Sequence, residues 1–139
     1  MIQRIQSIWL LVAAVCAALT YKFSFYSGNK TGEANMQELE KLVASSNFLL
    51  VIFTTMLAAF CLVIIFLYKS RKQQLWFTLI AAVIAVVNLI IYFKEIKKFN
   101  SGTFSLTAVL AFAIPVFLIL AARGIWKDEK LVKSLDRLR

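Results

Sequence analysis

Residues 73–93 run for 21 positions without a charged side chain, bounded by Arg71-Lys72 and Lys94-Glu95. A helix rises about 1.5 Å per residue, so this stretch reaches about 31 Å, close to the hydrocarbon thickness of a bilayer. Three further uncharged or nearly uncharged stretches accompany it, which puts four spans at about 5–25, 47–68, 73–93 and 103–122. A soluble chain of 139 residues has no core large enough to hide four such segments. The expected fold is therefore an all-α membrane protein: an antiparallel four-helix transmembrane bundle forming a single domain over residues 1–139, with a cytoplasmic tail, residues 123–139, that makes a C-terminal amphipathic helix.

Composition supports the same class. The hydrophobic fraction is 61%, against roughly 45–50% in soluble domains. Glycine occurs four times and proline once, which favours unbroken helices over the discontinuous ones of many transporters. The net charge of +9 does not imply nucleic acid, because the cations sit at the ends of apolar runs, where they set orientation and meet anionic headgroups. Cys16 and Cys61 fall inside apolar runs and read as small packing residues. Histidine is absent, removing the commonest metal ligand and general base. No phosphate loop, metal-ligand cluster or nucleophile–base pair is present, so the expectation is a protein that is not an enzyme and takes no cofactor or metal.

The start, Met1-Ile-Gln-Arg4 followed by an apolar run, has the outline of a signal peptide. No small-x-small site precedes Lys22, and Val15 stands where a lipoprotein signal wants a small residue before Cys16, so an uncleaved first span is expected. The uncharged stretch 42–68 is longer than a membrane needs. Asn35 to Glu38 has the form of a capping box, which predicts one long helix entering the bilayer from an aqueous loop. The alternative is a short interfacial helix bent near Ser45-Ser46-Asn47. Spans two and three are joined by only residues 69–72, forcing a tight antiparallel hairpin. Pro115 in span four predicts a kink or a freed carbonyl near Ala111.

Orientation follows from the cations. If the termini share a side, that side carries Arg4, Lys69, Arg71, Lys72, Arg123, Lys127, Lys130, Lys133, Arg137 and Arg139; the other carries Lys22, Lys30, Lys41, Lys94, Lys97 and Lys98. The positive-inside rule then places both termini in the cytoplasm.

Transport and proton relay need polar groups within the membrane, and the strongest here is Asn88. Its amide would seek Thr54 or Thr55 on span two. Small residues recur at helical spacing as Ala13/Ala17, Ala14/Ala18 and Ala81/Ala85, which suits close helix approach. In the tail, Trp126 suits a membrane interface, and Leu131, Leu135 and Leu138 recur at i, i+4 and i+7 among Lys130, Lys133, Arg137 and Arg139. That pattern describes a basic amphipathic helix able to lie on lipid or to dock on a protein. With both termini on one side, Gln3, Arg4 and Gln6 and the acids Asp128, Glu129 and Asp136 would share one surface, so an Arg4–acid pair pinning the tail to the first span is a further expectation.

Two segments carry a resemblance: Met1-Ile-Gln-Arg-Ile-Gln-Ser-Ile-Trp-Leu10, and residues 127–139 with Lys127-Asp-Glu-Lys-Leu-Val-Lys-Ser-Leu-Asp-Arg-Leu-Arg139. They resemble the family catalogued as domain of unknown function 4293, although an aromatic that is often tyrosine near Trp9 and a small residue in place of Leu135 would be the closer match. The resemblance implies a small four-span protein of the inner membrane of Gram-negative bacteria; it brings no assigned activity or cofactor. The expected role is a non-enzymatic accessory or assembly subunit of a larger inner-membrane complex, with the bilayer and another membrane protein as partners. A small oligomeric transporter or channel is the alternative, and a scaffold role through the first loop is a third reading.

Overall fold

The computed structural model describes residues 3–30, 40–67 and 70–136. Four helices dominate them: α1 (Gln3–Leu19), α2 (Phe48–Phe66), α3 (Arg71–Ile96) and α4 (Ala108–Asp136). Three short strands, β1 (Tyr26–Lys30), β2 (Glu40–Leu42) and β3 (Phe99–Phe104), accompany them. The fold is thus mostly helical but not all-α. Three helices are long and apolar enough to cross a membrane, over Phe48–Phe66, Lys72–Ile96 and Ala108–Val132, while the apolar part of α1, Ile5–Leu19, is shorter.

The helices pack in a ring, α1 on α2, α2 on α3, α3 on α4 and α4 back on α1. Each turns a seven-residue-repeat face inward. In α2 it is Leu50, Thr54, Leu57, Cys61 and Ile64; in α3 it is Gln74, Thr78, Ala81, Ala85, Asn88 and Tyr92. This spacing belongs to left-handed bundles with crossing angles near +20°. The interior mixes large side chains such as Leu10, Leu57, Ile64 and Leu118 with small ones. Small and polar residues such as Ala13, Ala17, Ala81, Ala85, Ala121 and Thr78 lie inside, whereas Phe48, Phe66, Trp76, Val83 and Val109 lie outside. Small inward residues let backbones approach, and large outward ones suit a hydrocarbon solvent. Of the alanine pairs, only Ala18 faces out.

Where α1 stops, local bonds explain it. Thr20 Oγ1 donates to the Ala17 carbonyl at 2.7 Å, and the Lys22 and Phe23 amides both donate to the Leu19 carbonyl. The chain then leaves as Phe25, whose amide donates to the Leu42 carbonyl at 2.7 Å. Residues 20–25, expected within the first span, thus form a turn and the approach to a strand. Residues 40–42 likewise do not continue α2 toward its N-terminus. They pair antiparallel with β1, and the helix begins afresh at Asn47, whose side chain accepts from the Leu49 amide at 3.1 Å. One continuous helix through 36–68 is therefore corrected to a strand, the 3-10 turn Ala44–Ser46 and then α2. The capping box at Asn35 to Glu38 lies outside the described residues.

The sheet has order β2-β1-β3 and is antiparallel throughout. Gly28 sits opposite Gly102. A Cβ on Gly28 would lie 2.2 Å from the Ser101 carbonyl oxygen, and one on Gly102 would lie 2.5 Å from that of Ser27, so both positions require glycine for the strands to meet. Residues 103–107 precede the fourth helix instead of opening it, because Thr103 and Phe104 are spent in β3 and the helix begins at Ala108. From there α4 runs unbroken through the buried Pro115 and on to Asp136. The expected separate tail helix is the continuation of α4.

Candidate functional site

The interior offers one polar connection in mid-bundle. Asn88 Nδ2 donates to Thr54 Oγ1 at 3.2 Å, linking α3 to α2 through one of its two expected partners. The other, Thr55, donates its hydroxyl to the Val51 carbonyl at 2.6 Å and accepts from the Tyr21 hydroxyl at 2.6 Å. Asn88 Oδ1 is buried without a hydrogen-bond partner, and the buried Tyr92 hydroxyl lies near the hydroxyls of Thr20 and Thr54.

The sheet end is closed by aromatic packing. Phe25, only 3% exposed, stacks on Tyr92 with ring centroids 4.5 Å apart. Phe93, Phe104 and Phe112 surround the same ring at 5.6–6.3 Å. Offset-stacked and edge-on ring pairs of this kind each add about 0.5–1.5 kcal/mol beyond burial. Polar links tie the rim: Asn47 Nδ2 donates to Glu95 Oε1 at 2.6 Å, Lys98 pairs with Glu95 at 2.8 Å, and Thr107 Oγ1 donates to the Ser24 carbonyl at 2.6 Å.

The opposite end is built differently. Gln6 Nε2 in α1 donates to Asp128 Oδ2 in α4, although Asp128 is only 7% exposed. Gly124, one turn earlier, makes room: a Cβ there would lie 2.9 Å from Gln6 Cγ. The pinning of α4 to the start of α1 is thus made by a neutral amide, whereas the side chain of Arg4 lies outside what the structure describes. Beyond this clamp α4 continues for two more turns. With 29 residues it is about 43 Å long, roughly 13 Å more than a hydrocarbon core.

A family model, Domain of unknown function (DUF4293), matches residues 2–138. The chain belongs to this family. No curated protein and no solved structure matches it. In this DUF4293 protein, Trp126 is 61% exposed, and Leu131 and Val132 are 50% and 40% exposed on the projecting part of α4. Lys127 and Lys130 are exposed beside them. Lys133 and Leu135 lie in α4, their side chains outside the description, and Arg137, Leu138 and Arg139 lie outside the described residues. Among the described residues, no group of three or more His, Cys, Asp and Glu is gathered to hold a metal ion.

Sequence reasoning put Gln6 and Asp128 on one surface but gave the pairing to Arg4, and it missed Gly124. The available signal was small: a glycine inside a helical run, one turn ahead of an acid, in a chain with only four glycines.

Proposed function

We propose that this DUF4293 protein is a multi-pass protein of the bacterial inner, or cytoplasmic, membrane, crossing it by four antiparallel helices with both termini cytoplasmic. It serves as a non-enzymatic accessory or assembly subunit of a larger membrane complex. The observation that carries this reading is the helical arm of α4 beyond Trp126, which keeps Leu131 and Val132 exposed on the last turns of a continuous helix beyond the Gln6–Asp128 bond. An exposed apolar pair on a preformed helix among cations is the form in which helices dock on protein grooves. Orientation rests on the excess of Lys and Arg at that end. The short α1 is accommodated by local thinning or by the flanking turn at Thr20 to Lys22.

The test is gentle detergent extraction followed by mass spectrometry of the intact assembly. A larger partner is expected with the wild-type chain, and Leu131→Glu with Val132→Glu is expected to release it while leaving the bundle folded. Recovery of a lone monomer from native membranes contradicts the reading. One observation favours the alternative of a small oligomeric transporter or channel: the buried, unpartnered Asn88 Oδ1 in mid-bundle. That reading requires loss of flux in Asn88→Leu.

A further inference from the structure

A groove runs between α3 and α4 on the bundle's outer surface, near the end that carries Gln6 and Asp128. Its floor is made by Ala82 and Ala122, and its walls by Leu75, Leu79 and Ile119. The small floor residues between large walls leave a volume of about 400 Å³ that is almost wholly apolar. At its mouth stand Arg123 and Trp126, and these same two residues border a second depression of about 310 Å³ with Gly124 and Lys127. Arg123 and Trp126 thus border both depressions, the first almost wholly apolar and the second flanked by the cations Arg123 and Lys127. Arg123 and Lys127 are i,i+4 neighbours and both exposed, and Lys72 lies one turn before Leu75 on the same face of α3. The nearest buried carboxylate, Asp128, is engaged by Gln6.

We propose that this groove binds one anionic glycerophospholipid of the surrounding leaflet, its acyl chain between α3 and α4 and its phosphate on Arg123 and Lys127. The chemistry matches part by part. A guanidinium presents paired donors to phosphate oxygens, a lysine adds a point charge, and an exposed indole sits at headgroup level. Juxtamembrane cations each contribute about 1 kcal/mol to attraction for anionic lipid, so Arg123 and Lys127 together set a preference over zwitterionic lipid of at least about tenfold. The proposal rests on the membrane placement above and is independent of any protein partner on the α4 arm.

Native mass spectrometry of the full chain in detergent, titrated with phosphatidylglycerol or with phosphatidylcholine of identical acyl chains, tests it. Phosphatidylglycerol is expected to be retained at least about tenfold more tightly. Arg123→Gln with Lys127→Gln is expected to bring the two lipids to within about twofold, with helicity unchanged by circular dichroism. Ala82→Phe fills the groove and is expected to weaken both lipids alike, whereas Lys94→Gln with Lys97→Gln at the sheet end leaves the preference intact. Equal retention of both lipids by the wild type overturns the proposal, and so does a preference that survives loss of Arg123 and Lys127. A dimer that excludes lipid and dissociates on Ala82→Phe assigns the groove to a second copy and overturns it as well. Loss of the protein partner in Leu131→Glu, with lipid retention unchanged, separates this site from the docking arm.

Discussion

The two ends of this helical ring solve the same problem in opposite ways. At the sheet end, three strands and a cluster of phenylalanines cover the helix termini, and Phe25 stacks on Tyr92 beneath them. At the other end no strand is present among the described residues; a single amide–carboxylate bond, Gln6 to Asp128, ties α1 to α4, and α4 simply continues. A covered end is a stability device. An end left open, with cations and exposed Trp126, Leu131 and Val132, has surface to spare for something else. Function is therefore sought at the open end.

Breaking the covered end has the largest expected effect. Phe25→Ala removes a fully packed ring and is expected to cost about 3–5 kcal/mol, read as a loss of unfolding free energy in mixed micelles. Gly28→Val forces β1 and β3 apart and is expected to cost about 1–3 kcal/mol, with faster amide hydrogen exchange confined to the sheet. If instead Gly28→Val is silent, the strands do not meet as described. At the open end, Gln6→Leu leaves the buried Asp128 carboxylate without its donor, at about 1–3 kcal/mol. Replacing both residues by leucine is expected to recover most of that loss, since an apolar pair strands no buried polar group. The smallest effect belongs to mid-bundle: Asn88→Leu is expected to cost about 0.6 kcal/mol by the same unfolding measurement.

The same contrast explains what the sequence disclosed. The apolar runs are legible because their length and lack of charge are set by a bilayer, and α2 and α3 begin within two residues of the expected positions. Asn88 finding Thr54 was legible because a buried amide has few partners within reach. The sheet was not, because β1 and β3 are short and glycine-bearing, and their pairing joins residues 69 to 78 positions apart. Within the helices, hydrophobicity could not tell inside from outside when both faces are apolar; alanines such as Ala13, Ala17, Ala81 and Ala85 mark the inner face, though leucine occurs on both. The clamp at the open end escaped because the expectation looked for a charge pair at Arg4, whereas Gln6 makes the bond across 122 positions through the gap left by Gly124. The continuous α4 was hidden because the fourth span was ended before its first charge, Arg123, and the tail beyond was read as a helix of its own.

Site-specific photo-crosslinking in native membranes compares the two ends most directly, with one probe at Val132 on the α4 arm and another at Phe104 on the exposed strand β3. Protein adducts at Val132, with none or only lipid at Phe104, are the expected result. Protein adducts at Phe104 with none at Val132 would contradict the assignment of function to the open end.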